Sequence, residues 1–176
     1  SDVYKRQGVG IAFKTAVRDN DCEVIGYMDI DMSTDIDELG EVWNIFTNNR
    51  QIDIINATRY SENSEVIGRT KARNFVSACC VAFLKRQLGM KSSDAICGFK
   101  FFRKEIIEQL VNESSNETGW FAIIEMLIRA EKHGFTIREL PVKWIYEEHT
   151  KVNILKVTWN YVRQTIKLKD KLKKEY

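Results

Sequence analysis

Apolar and polar positions along the chain switch between a period of two and a period near 3.6, and the switches mark out alternating strands and helices. Val24-Ile25-Gly26-Tyr27-Met28 is short and mostly apolar, the pattern of a buried strand. From Asp35 onward, Ile36, Leu39, Val42, Trp43 and Phe46 recur at helical spacing, and Asn48-Asn49 ends that helix. A second strand is predicted over residues 52–57, with Thr58-Arg59-Tyr60 at its end. A polar loop at 61–64 precedes a long helix over 70–87, in which Phe75, Cys79, Ala82 and Phe83 share a face and which Gly89 stops. Phe99 and Phe101, alternating with Lys100, predict a strand or extended segment within 94–103. Ile106, Ile107 and Leu110 mark a short helix, and 112–118 is loop. The helix predicted over 120–133 turns Ile124, Leu127 and Ile128 inward and Arg129, Glu131 and Lys132 outward, with Gly134 as its stop. Residues 135–144 read as one strand, which Pro141 places at least partly at a sheet edge, and 147–151 as a polar loop.

The two ends of the chain add to this α/β pattern. Gly8-Val9-Gly10-Ile11-Ala12 precedes a helix running to about Arg18. Two glycines before a helix either let a phosphate approach backbone N–H groups or form a flexible start. Before them, Asp2-Val3-Tyr4-Lys5-Arg6-Gln7 resembles the translated end sequence of a transposase used to make sequencing libraries. Residues 1–7 are therefore expected to be a non-native scar, the alternative being a genuine basic start. Native sequence is then expected from Gly8. At the other end, residues 153–176 combine a broad apolar stripe (Ile154, Leu155, Val157, Trp159, Tyr161, Val162, Ile166, Leu168) with Arg163, Lys167, Lys169, Lys171, Lys173 and Lys174. Such a helix either packs on a core with a solvated tail or lies at an anionic membrane surface.

With 176 residues, 44% hydrophobic and 30% charged, the chain can bury the core of one domain. A net charge of +2 gives no reason to expect a nucleic-acid partner. Cys22, Cys79, Cys80 and Cys97 lack zinc-ligand spacing and read as reduced thiols in a cytosolic setting. No apolar run reaches the roughly 20 residues of a membrane-spanning helix.

The chemistry concentrates at strand ends. Asp29 and Asp31 follow the first strand directly, and ligand sites of open α/β sheets lie at the carboxyl ends of strands. Two carboxylates there form a hard oxygen site for Mg²⁺ or Mn²⁺ beside a diphosphate, or else an acidic turn before the next helix. Arg69, Lys71 and Arg73 crowd the positive end of a helix dipole, where an anionic ligand would compensate them. Gly98 permits close backbone approach.

Taken in order, the Asp29–Asp31 pair, Ala57-Thr58-Arg59-Tyr60, Asp94-Ala95-Ile96-Cys97-Gly98-Phe99-Lys100, and Glu139-Leu140-Pro141-Val142-Lys143-Trp144 followed by Thr150-Lys151-Val152 resemble the polyprenyl-phosphate glycosyltransferases of glycosyltransferase family 2. The resemblance is greatest to dolichyl-phosphate β-glucosyltransferases and next to dolichyl-phosphate mannose synthases. It runs from Gly8 to about Lys169, with the Cys-Gly-Phe-Lys and Leu-Pro-Val-Lys-Trp stretches the most specific. It implies the GT-A fold, a Rossmann-like α/β domain, here over residues 8–152 and incomplete at its N-terminus.

The activity implied is inverting, metal-dependent transfer of a hexose from UDP-glucose or GDP-mannose to a polyprenyl phosphate, by an enzyme peripheral to the cytoplasmic face of a membrane. Asp29 and Asp31 would hold the metal, and Gly8, Gly10, Asp29 and Gly98 the donor. Arg59, Arg73 and Lys151 would hold the acceptor phosphate, and Asp94 with Asp31 would serve the reacting centre. Base- and ribose-binding strands precede the Gly-rich stretch in that family, so the chain as given is expected to bind sugar nucleotides weakly. Three positions depart from the family pattern: Val9 where lysine is usual, Thr150 where serine is usual, and Ile123 where an aspartate is common.

Two rival readings remain. An Asp-x-Asp after a strand also serves phosphatases of the haloacid dehalogenase type, with Asp29 as nucleophile, but the later Gly-Asp and acidic cluster of that class are missing. A non-catalytic membrane-peripheral module would use the basic C-terminal helix and leave the acidic pair unexplained.

Overall fold

The computed structural model describes residues 8–146 and 154–175. Its elements run α1 (Gly8–Asp19), β1 (Val24–Met28), α2 (Glu38–Asn48), β2 (Ile54–Thr58), β3 (Glu65–Ile67), α3 (Lys71–Leu88), β4 (Phe99–Arg103), α4 (Lys104–Glu113), α5 (Phe121–His133), β5 (Ile137–Pro141), β6 (Lys143–Ile145) and α6 (Ile154–Glu175). The expected N-terminal scar, the 147–151 loop, Thr150 and Lys151 lie outside the described residues.

The main sheet has the order β1-β4-β2-β5. Strand β4 lies antiparallel to both neighbours, and β5 runs parallel to β2 at the edge. Alternation along the strands sorts side chains to two faces. Ile25, Phe102, Ile54 and Ile137 are register partners on one face, packed in a core with Phe13 and Val17 of α1, Leu110 of α4 and Leu127 of α5. Phe99, Phe101, Ile55 and Leu140 take the other face and meet Val42, Ile45 and Phe46 of α2. Helices thus cover both faces, and each fully buried Ile or Phe contributes about 1.5–3 kcal/mol.

Four departures from the sequence reading have local physical causes. The strand predicted over 135–144 is two strands. Val142 donates its N–H to Thr58 O (3.3 Å) and accepts from Glu65 N (3.1 Å), so the chain leaves β2 there and pairs instead with β3. Pro141, with no N–H to give, stands on the edge strand, as expected. Strand β3 itself is too short for a periodic signal and falls between the predicted 61–64 loop and the predicted 70–87 helix.

The α3 face holding Phe75, Cys79, Ala82 and Phe83 is not the buried one. Ser77, Val81, Leu84 and Leu88 face inward, while Phe75 is 70% exposed. Thr70 caps α3 by accepting from Arg73 N, and Gly89 closes it in the left-handed region at φ 68°.

Arg129, expected to point outward, is buried and bonded to Glu125. Helix α5 is enclosed over the whole stretch from Phe121 to Ala130, so even its polar positions had to be paired inside. Finally, Gly8 and Gly10 lie within α1 rather than before it.

Helix α6 packs on α3 and buries Tyr161, Thr165, Leu168 and Leu172, at helical spacing. Trp159 and Ile166, part of the same predicted stripe, face outward.

Candidate active site

Strand β1 delivers its acidic pair into a tight turn. Asp29 N donates to Gly98 O (2.8 Å), Met32 N to Asp29 O (3.1 Å), and Ser33 N to the Asp31 carboxylate (3.1 Å). Met32 sits at φ 51°, an uncommon backbone state for a residue with a side chain. The Tyr27 hydroxyl donates to Asp29 Oδ1 at 2.6 Å. A Cβ on Gly98 would fall 2.0 Å from Asp29 Oδ2, so only glycine lets β4 pass this carboxylate.

Burial pushes the pKa of Asp29 upward, the Tyr27 hydrogen bond opposes this, and the charge of Asp31 adds to it. The buried Asp29 carboxylate, with that of Asp31 two residues on, forms a donor set that a cation would relieve. Mg²⁺ and Mn²⁺ sites of this kind use one or two carboxylates and fill the remaining positions with phosphate oxygens and water. The residues present therefore fit such an ion. Among the described residues no group of three or more His, Cys, Asp or Glu side chains converges.

The second charged centre joins β2 to the loop before β4. Arg59 donates from Nε (2.7 Å) and Nη2 (3.1 Å) to Asp94, and its backbone N–H also reaches that carboxylate. Asp94 Oδ1 accepts further from Ile96 N and Cys97 N. Burial alone would raise the pKa of Asp94, but the Arg59 charge and hydrogen bonds outweigh it and hold the carboxyl below its usual range. Lys100 is buried beneath the same loop, and its ammonium donates to Cys97 O. The neighbouring Cys97 thiol is pushed up to about 11 by burial first, then by Asp94.

Aromatic rings organise the remaining cations. The guanidinium carbons of Arg59 and Arg69 lie 5.4 and 5.3 Å from the Trp144 ring, and that of Arg73 lies 4.9 Å from Tyr146. Burial and then the like charge of Arg59 lower the pKa of Arg69. Together they wall a cavity of about 650 Å³, with Asp29, Asp31, Arg59, Arg69, Arg73 and Lys100 among its lining.

Of the sequence-predicted residues, Asp29, Asp31, Arg59 and Arg73 thus share one cavity. Asp94 is fully enclosed and acts on Arg59 rather than facing the space. Gly98 packs on Asp29. Gly8 and Gly10 pack on the 117–122 turn, where Gly10 N donates to Thr118 O. Lys151 lies outside the described residues. Tyr27, Lys100, Trp144 and Tyr146 line the cavity without having been assigned a role, and Arg69, expected only as one of the cations an anion would compensate, lines it too. For Arg69 a signal existed in the cationic cluster at the start of α3: Arg69 and Arg73 line the cavity, while Lys71 is exposed and does not.

A glycosyl transferase family 2 model matches residues 4–111. The chain belongs to glycosyltransferase family 2.

Relatives and a solved structure of similar fold accompany that match. Glycosyltransferase AglD of Haloferax volcanii is 29% identical over 151 residues, covering 86% of this chain and 24% of its own length. Dolichyl-phosphate hexose transferase of the same organism is 27% identical over 139 residues (78% and 57%). Dolichyl-phosphate β-glucosyltransferase ALG5C of Trichomonas vaginalis is 26% identical over 144 residues (80% and 42%). The chain thus spans between 24% and 57% of the length of these relatives. Glucosyl-3-phosphoglycerate synthase from Mycobacterium tuberculosis, crystallised with Mn²⁺ and UDP-glucose, superposes with a TM-score of 0.63 at 14% identity, covering 92% of this chain and 54% of that one. The fold is the expected GT-A type. Val9 and Ile123, two of the departures from the family-2 pattern, both line the cavity and make its wall apolar where a lysine and an aspartate were expected.

Proposed function

We propose that this chain carries the reacting centre of a family-2 enzyme that transfers a hexose from a nucleoside-diphosphate sugar to a polyprenyl phosphate. One observation carries the lipid part of this reading. The charged cavity shares Val76, Cys80, Thr158 and Tyr161 with a second, apolar cavity of about 460 Å³ between α3 and α6, lined also by Phe75, Phe83 and Val162. A charged chamber that shares a wall with an apolar groove matches an acceptor that has a phosphate head and a hydrocarbon tail. The relatives named for dolichyl phosphate support the same reading.

Each residue's part follows from its surroundings. Asp29 and Asp31 would hold a divalent cation, whose chemistry is to offset the charge of the donor diphosphate. Arg69 and Arg73, stacked on Trp144 and Tyr146 with no carboxylate bonded to them among the described residues, suit an incoming phosphate. Lys151 is proposed to join them. Arg59 is oriented by Asp94, so its positive charge stays fixed at the chamber wall. A phosphate monoester has its second pKa at about 6, so the acceptor is largely dianionic at neutral pH. It needs no strong base, and the site's task is to bring two anions together and orient them for in-line, inverting displacement. Gly8 and Gly10, proposed as donor contacts, would act by shaping the turn at 117–122 against α1. No described helix is long and apolar enough to cross a membrane. The outward Phe75, Trp159 and Ile166 on α3 and α6, beside exposed Arg163 and Lys167, are proposed to touch the surface of one at its cytoplasmic face.

The test is transfer of labelled hexose from UDP-glucose and from GDP-mannose to polyprenyl phosphate, with Mn²⁺ or with EDTA. Transfer that stops in EDTA and in Asp31→Ala, and that falls off for a short water-soluble alkyl phosphate, is the expected result. Equal rates on both acceptors would remove the lipid, and an EDTA-insensitive rate would remove the metal.

A further inference from the structure

The sheet face that supports the site carries two ladders of register partners, two residues apart along each strand. The first, Ile25–Phe102–Ile54–Ile137, is apolar throughout. The next, Tyr27–Lys100–Asn56–Glu139, is polar throughout, with one residue from each of β1, β4, β2 and β5. These four residues are scattered in the sequence and meet only through pairing.

Each one holds a different point on the chain that builds the site. Tyr27 donates to the Asp29 carboxylate at 2.6 Å. Lys100 donates from its ammonium to Cys97 O. Asn56 Nδ2 donates to Asp94 O at 3.0 Å. Glu139 Oε1 accepts from Ser93 N (2.5 Å) and Ser93 Oγ (2.8 Å). The loop before β4 is thereby fastened at Ser93, Asp94 and Cys97, and the facing turn at Asp29.

Stability does not explain this row. Lys100 is 1% exposed, and the row below it shows that apolar side chains fill this face well. A buried ammonium with one hydrogen bond among the described residues is costly relative to an apolar chain of similar length. Asn56 is likewise 0% exposed, and its Oδ1 has no partner among the described residues. Groups retained at such a cost, directly under a cavity that Tyr27 and Lys100 also line, serve the cavity.

We propose that Tyr27, Lys100, Asn56 and Glu139 form a positioning row that locks the 93–97 loop against the acidic turn, with Lys100 as its central member. For its effect on turnover, the inference rests on the proposed transferase reading. The row sets the spacing between the Asp94-oriented Arg59 and the Asp29 carboxylate. Misplacement of such groups by about 1 Å can reduce turnover a hundredfold while leaving binding of the remote parts of a substrate intact.

Lys100→Met tests the centre of the row, and Tyr27→Phe, which removes a single hydroxyl, tests its end without risk to packing. Hydrogen exchange at the Ile96 and Cys97 amides, both donors to Asp94, reports on the loop whatever the reaction is. In Lys100→Met these amides should exchange at least about tenfold faster while the unfolding midpoint is unchanged or raised. In the transfer assay, kcat should fall about tenfold or more in Lys100→Met, and less in Tyr27→Phe, with the donor KM of each within about twofold of the parent. Unchanged exchange, or a kcat within twofold of the parent in both variants, overturns the row. A parent protein that transfers no hexose overturns the transferase reading instead, and the exchange rates then decide the row alone.

Discussion

Among the described residues lie two buried arginine–carboxylate pairs, and they differ in what surrounds them. Arg59 directs two N–H groups at Asp94, rests on Trp144, and forms part of a cavity wall. Arg129 donates from Nε to Glu125 (3.0 Å) and from Nη1 to Glu175 (2.8 Å), while its Nη2 has no partner among the described residues. Glu125 accepts in addition from Ser115 N and Ser115 Oγ. The second network therefore ties the loop before α5, α5 itself and the end of α6 together, and it borders neither cavity. Burial of an ion pair does not by itself mark a site. The distinguishing feature is open space beside the cation, with further charges facing it.

Breaking the first pair should have the largest consequence. Asp94→Ala strands a buried guanidinium and frees the Ile96 and Cys97 amides, so denaturant titration should register a loss of about 3–5 kcal/mol together with loss of hexose transfer. Replacing both partners, Arg59→Met with Asp94→Leu, should restore much of the stability and none of the transfer. If transfer returned, the pair would be merely structural, like the other one.

Arg129→Met should cost about 3 kcal/mol by leaving Glu125 buried with Ser115 as its remaining hydrogen-bond donor among the described residues, yet kcat measured well below the unfolding midpoint should hold. A folded Arg129→Met protein without turnover would erase the contrast.

Acid should discriminate more gently. The folded pKa of Asp94 is depressed, so its contribution is complete above the unfolded value of about 3.9 and is lost as pH falls through the lower folded value. Asp94→Asn should flatten that acid limb of the stability profile, and an unchanged limb would assign it to other carboxylates. The smallest effect belongs to Glu175→Ala. Its side chain is 34% exposed, and thermal unfolding should shift by under about 1 kcal/mol.

Much of this was readable residue by residue. Helical spacing in α2, the apolar run of β1 and the glycine stops after α3 and α5 depend on neighbours a few positions away, and all three are found where expected, although β1, read as buried, lies at the sheet edge with Ile25 its one buried residue. The acidic pair at the end of β1 is equally local, and so is the cluster of cations at the start of α3, of which Arg69 and Arg73 line the cavity. Other features depended on partners far along the chain. Amphipathic spacing identified an apolar side of α3 but not that it would line a groove with α6, because Ser77, Val81, Leu84 and Leu88 offered a competing side. Arg129 looked solvated because charge usually is, until the enclosure of α5 forced it into a pair.

The row of Tyr27, Lys100, Asn56 and Glu139 is the clearest case of what tertiary structure alone decided. Composition and period determined that each residue sits in a strand. The register that aligns them arises from pairing β4 between β1 and β2 and laying β5 beside β2. Register is set by long-range burial of the apolar ladder below, since a slip of one residue would turn every side chain to the opposite face. The same hydrophobic constraint that sequence periodicity makes visible locally thus fixes, only once the sheet is assembled, which polar groups meet under the site.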